Sequence, residues 1–189
     1  MSNLAALHAD QTERIILEAA IAVLEDDAFN GLTARAVARR AGIAERTIFR
    51  YFASRDEFLD AIGREITRIL HMPPAPTTID ELLAMPRRLY EAFEPHAKVI
   101  QAVFHSEVFP RMQSGAAKQR WIAIGKLLDR EFPKAPARAR RISAANIRYF
   151  LSGNSWQYYR FIFRFDLETT IACAETAIRQ ALNELQRKR

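Results

Sequence analysis

The stretch from Thr33 to Phe52 constrains the fold of this chain more than any other part of the sequence. Its pattern predicts two short helices joined by a tight turn at Gly42, because glycine readily adopts the left-handed backbone that ends a helix. Ala38 and Ile48 lie where a helix-turn-helix needs a small residue and a buried branched apolar residue. All three positions are structural on any interpretation, so they predict a helix pair and say nothing about what it contacts.

Positive charge is concentrated in the same stretch. Residues 35–55 contain 6 arginines and 1 acid, a local net charge of +5. The whole chain carries +6, but residues 1–71 carry −2 and residues 72–189 carry +8. The overall positive charge is therefore not evidence for phosphate binding. The local patch is such evidence, because phosphate binding needs clustered cations. Together with the helix pair, it predicts DNA binding in the major groove.

The rest of the sequence predicts an all-α fold of about nine helices, since glycine is scarce at 6 residues and good helix formers are plentiful. Capping-box signals are expected at Asp10–Glu13, Ser54–Glu57 and Thr78–Glu81. An interruption or kink is expected at Pro86. The predicted helices span about residues 11–27, 34–41, 45–51, 55–71, 79–94, 95–108, 116–132, 137–165 and 167 to near the C-terminus.

Composition and motifs disfavour several classes of protein. The chain has no charged-then-apolar leader and no apolar run long enough to cross a bilayer, which predicts a soluble cytoplasmic protein without a membrane partner. The single cysteine, Cys173, is interpreted as a buried, inert thiol on a helix. We find no glycine-rich phosphate loop, nucleophile motif or paired carboxylates, so an enzyme is disfavoured and no cofactor is expected. The four histidines have no metal-ligand spacing, so no metal site is expected.

The sequence strongly resembles the TetR family of transcriptional regulators over about residues 10–62. The matching segments are Leu32-Thr33, Ala38, Ala41-Gly42-Ile43, Thr47 to Phe52 and Ser54 to Leu59. The resemblance implies an N-terminal three-helix DNA-binding region with a helix-turn-helix, followed by a C-terminal helical domain for ligand binding and dimerisation. With the proline-rich segment at 73–76 as a linker or bend, the expected boundaries are 1–55 for DNA binding, 56–72 for a connecting helix and 73–189 for the C-terminal domain.

The resemblance also implies the residues that contact double-stranded DNA, at a palindromic operator. These are Thr33, Ala34, Arg35, Glu45, Arg46, Thr47, Phe49, Arg50, Tyr51 and Arg55. Arg46 and Arg50 could each form two hydrogen bonds with a guanine edge. Arg55 stands where the family commonly has a phosphate-binding lysine. Glu45 and Ala44 depart from the family pattern: Glu45 replaces a frequent basic residue, and Ala44 cannot cap the third helix with its side chain.

For the C-terminal domain, the resemblance implies a homodimer through the last two helices and a pocket for a small, largely apolar effector. A stripe on the last helix, from Ile171 to Leu185, suits the dimer interface. Aromatic and polar residues at helical spacing could form the pocket, although plain core packing is the commoner role of such a stripe. The candidates are Phe93, Phe104, His105, Trp121, Ile124, Asn146, Tyr149, Phe150 and Trp156.

Two alternatives remain open from sequence. The chain could be a ligand-independent architectural DNA-binding protein, whose C-terminal core would be filled by its own side chains. The +8 charge of residues 72–189 is compatible with an anionic ligand, but we interpret Arg138, Arg140, Arg141 and the tail Arg187-Lys188-Arg189 as solvated surface.

Overall fold

The computed structural model describes residues 2–26, 32–114 and 116–187, and over those ranges it contains helices and no strand, which confirms the all-α prediction. Residues 27–31, which contain the predicted end of the first helix, and the tail residues 188 and 189 lie outside the described residues. The α-helices are α1 Ser2–Asp26, α2 Ala34–Ala41, α3 Glu45–Tyr51, α4 Arg55–Ile69, α5 Ile79–Phe93, α6 Ala97–Phe104, α7 Val108–Ser114, α8 Ala116–Glu131, α9 Ala137–Phe150, α10 Gly153–Gln157 and α11 Leu167–Arg187. A 3₁₀ turn spans Glu94–His96 and a π-helical turn spans Tyr158–Ile162.

The chain divides into two compact units. The first unit comprises residues 1–70 and 97–113, and the second comprises residues 71–96 and 114–189. Helices α6 and α7 thus pack with the N-terminal helices. The single predicted boundary at Pro73 assigned them to the C-terminal domain instead. In the first unit, α1 packs against α2, α4 and α6. In the second, α11 packs against α5 and α9, and α8 packs against α9.

Local capping explains why several predicted helix starts are confirmed. The Ser54 hydroxyl accepts a hydrogen bond from the Glu57 amide at 3.1 Å, and the Glu57 carboxylate accepts from the Ala53 amide at 2.8 Å. Thr78 and Glu81 repeat this arrangement at the start of α5. Each cap satisfies backbone amides that the first helical turn leaves without a partner. Pro86 lies inside α5 without interrupting it.

The predicted cap at Asp10 is wrong. Helix α1 begins at Ser2, so Asp10 is an exposed residue within a continuous helix. A cap signal has no effect where the preceding residues are themselves good helix formers.

The predicted single helix over residues 95–108 is also wrong. Ser106 ends α6 by donating its hydroxyl to the Val103 carbonyl at 2.9 Å, and the same hydroxyl accepts from the Val108 amide at 3.2 Å. Pro110, two residues beyond the predicted end of that helix, lies in the first turn of α7, where a missing amide hydrogen leaves no bond unmade.

The long helix predicted over residues 137–165 is broken after α9. Leu151 leaves helical geometry with φ −96° and ψ 49°, and Ser152 then caps α10. The chain continues through the π-helical turn to Asp166, whose carboxylate accepts from the Thr169 amide at 2.7 Å and caps α11, so the predicted start of the last helix at residue 167 is confirmed. Because of the break, residues before and after Leu151 do not share the continuous faces that one straight helix would give them.

The apolar stripe assigned to a dimer interface is buried within the chain itself. Its members Ile171, Ala174, Ile178, Leu182 and Leu185 are at most 5% exposed. They form the side of α11 that packs on α5 and α9. The expectation that this stripe of α11 forms the dimer interface was therefore wrong, because this face of the helix belongs to the core of the chain itself. Cys173, on the same helix, is half-buried rather than fully buried.

Candidate nucleic-acid interface

Thr33 begins the helix-turn-helix. Its backbone is extended, its side-chain oxygen accepts from the Ala36 amide at 3.1 Å, and its carbonyl accepts from the Val37 amide at 3.0 Å. Thr33 and Arg35 are exposed at the start of α2, and the N-terminus of a helix suits an anion such as a DNA phosphate.

Gly42 makes the turn between the two helices. Its φ of +68° is left-handed, and the Ile43 amide donates to the Ala38 carbonyl at 3.0 Å. No atom lies within 4 Å of where a Cβ would stand, so backbone conformation and not space selects glycine here. Ala38 and Ile48 are 3% and 1% exposed, which places the turn over a packed interior.

Helix α3 buries one side and presents the other to solvent. Ile48 faces the interior, whereas Glu45, Arg46, Phe49 and Arg50 are exposed. Phe49 is 56% exposed, an unusual position for a phenylalanine in a seven-residue helix and a suitable one for contact with a thymine methyl group. No side-chain hydrogen bond caps the helix at Ala44, as expected.

Arginines of this region fall into two groups. Arg35, Arg39 and Arg46 take part in no described hydrogen bond or ion pair, and Arg50 contacts only the Tyr51 ring, at 5.5 Å from its centroid. Arg40 instead binds Asp26 of α1 at 2.9 Å, so it is not simply solvated surface. The first group is thus exposed and available to a nucleic acid.

Arg55 is held by a residue that sequence reasoning missed. Its Nη2 and Nε donate to the two carboxylate oxygens of Glu107 at 2.7 and 3.2 Å, and Nη2 also donates to the Leu32 carbonyl at 3.2 Å. The hydrogen bond to Glu107 raises the pKa of Arg55, and the same bond lowers the pKa of Glu107. Nearby, Arg111 pairs with Asp56 and, at 3.4 Å, with Asp60. No local signal identifies Glu107, because it lies 52 residues from Arg55.

All ten residues assigned to DNA belong to the first unit and lie at the start of α2, along α3 and at the start of α4. Ala34, Thr47 and Tyr51 are half-buried and the other seven are exposed. The arrangement offers cations, hydroxyls and one exposed aromatic ring on two packed helices. Its chemistry suits a phosphate backbone and base edges.

The residues assigned to the effector pocket are divided between the two units. Phe104 and His105 belong to the first unit, and the other seven to the second. In the second unit, Phe93 and Trp156 are buried with ring centroids 5.5 Å apart, and Ile124 is fully buried. Phe150 is half-buried, and its ring lies 5.5 Å from that of Tyr149. Trp121, Asn146 and Tyr149 are exposed.

A polar cluster surrounds the buried tryptophan of the second unit. Trp156 Nε1 donates to Glu94 Oε1 at 2.8 Å, and Arg160 donates to both Glu94 oxygens at 2.7 and 2.8 Å. The Arg160 bond lowers the pKa of Glu94. Tyr90 donates to the Phe150 carbonyl at 2.6 Å, and burial raises its pKa well above the usual range. These groups satisfy one another, which is typical of a structural network.

Membrane-spanning helices and metal-binding clusters are both absent from the described residues. None of these helices is long and apolar enough to span a membrane. Among the side chains described, His, Cys, Asp and Glu form no group of three or more that could hold a metal ion.

Residues 16–62 match the family model described as bacterial regulatory proteins, tetR family. The chain is 28% identical over 124 residues to the transcriptional repressor KstR of Rhodococcus jostii, covering 64% of this chain and 57% of that protein. It is 25% identical over 190 residues to the transcriptional regulator BetI of Cronobacter sakazakii, covering 89% and 90% of the two chains. The chain thus spans little more than half the length of KstR but most of the length of BetI.

Solved structures share the fold. A putative transcriptional regulator from Pseudomonas aeruginosa PAO1 aligns with a TM-score of 0.67 at 18% identity, covering 95% of each chain. NalD, the secondary repressor of the MexAB-OprM multidrug efflux pump in Pseudomonas aeruginosa, aligns with a TM-score of 0.61 at 15% identity, covering 94% of this chain and 96% of NalD. The family match over residues 16–62, together with the helix-turn-helix geometry, identifies this segment as a DNA-binding region of the TetR type, and the solved structures show that the chain shares their fold.

Proposed function

We propose that this protein is a ligand-responsive repressor that binds a palindromic operator as a homodimer in the cytoplasm. The DNA-binding part of the proposal is supported by the exposed face of α3. Arg46, Phe49 and Arg50 are exposed there, and buried Ile48 packs the helix against the interior. A short helix held from one side can enter the major groove, which admits one α-helix.

Each predicted DNA contact has a proposed role. Thr33, Ala34 and Arg35 bind backbone phosphate at the start of α2, and Arg55 binds phosphate at the start of α4. Arg46, Arg50 and Phe49 contact base edges, and Thr47 and Tyr51 support them from half-buried positions. Glu45 accepts from a cytosine amine or, failing that, stabilises the α3 dipole.

Dimerisation is proposed through the outward faces of α9 and α11. Ile142 and Tyr149 of α9 are 52% and 53% exposed and lie two turns apart on one side of the helix. The outward side of α11 carries small residues, Ala172 and Thr176, that allow another helix to approach closely. The proposed interface uses these faces because the apolar stripe of α11 is already occupied by the chain's own core.

The proposed effector site lies in the second unit, near Phe93, Ile124, Phe150 and Trp156. Trp121, Asn146 and Tyr149 are exposed, so they can line the site only at its entrance or through rearrangement. Phe104 and His105 remain candidates from the sequence, in the first unit.

A second candidate function is a ligand-independent architectural DNA-binding protein. It is favoured by the tight packing of Phe93, Ile124 and Trp156, which are 4%, 0% and 0% exposed. A core filled in this way leaves less room for an effector.

Selection of bound duplexes from a random DNA library tests the proposal and separates the two functions. A repressor is expected to enrich one motif with two-fold symmetry, because two identical subunits contact two half-sites. An architectural protein would enrich no motif beyond a preference for flexible or A·T-rich DNA. Failure to enrich a symmetric motif would overturn the proposed repressor.

A further inference from the structure

Four large apolar side chains of the second unit are exposed within six residues. Tyr158, Ile162 and Phe163 are 51%, 60% and 51% exposed, and Phe161 is 40% exposed. They belong to the π-helical turn and the residue that follows it, a segment that we call the aromatic turn (residues 158–163). Single exposed apolar residues are ordinary, but a cluster of this size is typical of an interaction surface.

The aromatic turn is held in place by hydrogen bonds at both ends. Arg160 donates through Nε and Nη2 to the two carboxylate oxygens of Glu94 at 2.7 and 2.8 Å, and its Nη1 donates to the Phe165 carbonyl. The Phe163 amide donates to the Tyr158 carbonyl at 3.1 Å. Because the backbone is fixed in this way, the exposure of these side chains is a property of the fold, and π-helical turns of this kind are frequent at functional sites.

The rings of the aromatic turn also support one another. Phe161 lies edge-on to the buried Trp156 ring at 5.4 Å between centroids, and Tyr158 and Phe163 are 5.1 Å apart at 90°. Arg164, directly after the turn, has a φ of +58°, a left-handed conformation that is strained for any residue with a side chain. The chain thus accepts backbone strain beside a set of apolar side chains left in water, which is unfavourable unless another surface covers them.

The charges around the aromatic turn balance. Arg160 pairs with Glu94, and the exposed Arg164 is followed two residues later by the exposed Asp166. A strongly acidic or basic partner would gain little from such a surface, whereas the same surface of a second copy would meet no net repulsion. A self-complementary surface is what a two-fold symmetric dimer requires.

The area of the aromatic turn matches what the proposed dimer lacks. A large side chain that is half exposed offers about 100 Å² to a partner, so Ile142 and Tyr149 of α9 supply about 200 Å². Each partner of a standard interface buries about 800 Å². The aromatic turn adds about 400 Å² on the same estimate. Only the five-residue helix α10 separates it from α9 along the chain, and α10 packs against both.

We propose that the aromatic turn packs against a second copy of this chain and supplies most of the apolar area of the dimer interface. This inference rests on the proposed function, because it names a further contact of the proposed homodimer. Ile162 is the central test residue, since no other large apolar side chain in the described part of the chain is as exposed.

Sedimentation velocity over a range of concentrations measures the dissociation constant of the dimer for the native chain, Ile162→Glu and Ile122→Glu. Both variants place a carboxylate on an exposed isoleucine of the second unit, but Ile122 lies on α8, outside the proposed interface. Ile162→Glu is expected to raise the dissociation constant at least about 30-fold, the loss typical of a central contact, and Ile122→Glu to leave it unchanged. If circular dichroism shows that Ile162→Glu does not fold, Ile162→Ala removes the same contact without adding a charge.

Hydroxyl-radical footprinting read by mass spectrometry measures whether the aromatic turn itself is covered. Tyr158 and Phe163 are expected to be oxidised several-fold more slowly in the dimer than in the diluted, monomeric chain, because the core of an interface excludes water. Phe49 is the control, since it is 56% exposed in the first unit and should react equally in both states when no DNA is present.

A dimer that forms equally well with Ile162→Glu would overturn the inference and leave the proposed homodimer standing. The same holds for a dimer in which Tyr158 and Phe163 react as fast as in the monomer. A native chain that stays monomeric would refute the proposed homodimer and this inference with it, and would leave the aromatic turn to a partner of another kind. A dimer that is weakened by Ile162→Glu and protects both rings supports the inference.

Discussion

At the scale of single residues, Arg55 is a predicted DNA contact whose guanidinium is already bound by a carboxylate of the protein itself. Its guanidinium binds both oxygens of Glu107, and a DNA phosphate must compete with that carboxylate for the same donors. Because the ion pair is solvent-exposed, it is worth at most about 1 kcal/mol, so competition is feasible. We therefore expect Glu107 to lower the affinity for DNA without preventing binding.

We expect Glu107→Gln to tighten binding to DNA by about two- to fivefold, since it releases Arg55 from an exposed ion pair. Fluorescence anisotropy with a labelled duplex measures the change. Glu91→Gln is the control, because Glu91 also pairs with an arginine, Arg87, but in the second unit. Equal affinities of the two variants would show that Glu107 does not restrain Arg55.

Substitutions of Arg50 and Arg55 are expected to change DNA binding in different ways. Arg50→Ala should lose about 1–3 kcal/mol of discrimination between the selected and a scrambled duplex, because Arg50 is assigned to a base edge. Arg55→Ala should weaken binding to both duplexes alike and reduce the dependence of the affinity on salt, because Arg55 is assigned to a phosphate. Titrations at several salt concentrations measure both effects. An identical loss of discrimination in the two variants would contradict the assigned roles.

At the scale of helices, features that depend on residues close together in sequence could be predicted. Features that depend on packing between distant helices could not. The caps at Ser54 and Thr78 involve partners three or four residues away, so the sequence contains them. The break at Leu151 was missed because apolar residues at helical spacing continue across it. The α11 stripe was recognised as apolar, but its packing partner depends on α5 and α9, which a single helix pattern does not reveal.

The same distinction applies to the candidate sites. Arg46, Phe49 and Arg50 were predictable as an exposed set because Ile48 defines the buried side of α3. Glu107 was not, since it precedes α7 and lies 52 residues from Arg55, so no local pattern links the two. Arg120 of α8 is 5% exposed, and its only sequence signal is its helical spacing with the apolar positions 124, 127 and 128.

The turn between α2 and α3 gives a paired test of backbone conformation. We expect Gly42→Ala to reduce the free energy of unfolding by about 1–2 kcal/mol, because φ is +68° and an alanine is strained there. Gly125→Ala, inside α8 and equally free of neighbouring atoms, should raise it by about 0.5–1 kcal/mol. Urea unfolding of the two variants measures the difference. Changes of the same sign would show that the turn conformation does not require glycine.

At the scale of the whole molecule, the proposed dimer determines how the helix-turn-helix is used. One α3 covers only a few base pairs, so sequence-specific binding at physiological salt needs two half-sites contacted together. The exposed apolar residues of α9 supply the proposed contact, and the effector is proposed to act in the same unit.

We expect Ile142→Glu to convert the protein to a monomer, because it places a charge at the centre of the proposed apolar contact. Light scattering coupled to size-exclusion chromatography measures the mass. Ile122→Glu is the control, since Ile122 is an exposed isoleucine of α8, 39% exposed, outside the proposed interface. A native protein that is already monomeric, or a dimer that survives Ile142→Glu, would refute the proposed interface.

The central claim is that the α3 surface binds a specific DNA sequence. It is tested most directly by the ratio of the dissociation constants for a scrambled duplex and for the duplex selected from the random library, measured by anisotropy at physiological salt. Specific binders favour their site by about 10³-fold or more, and we expect a ratio of that order. A ratio near one would contradict the account, because it would mean that the arginines of this surface bind only the phosphate backbone.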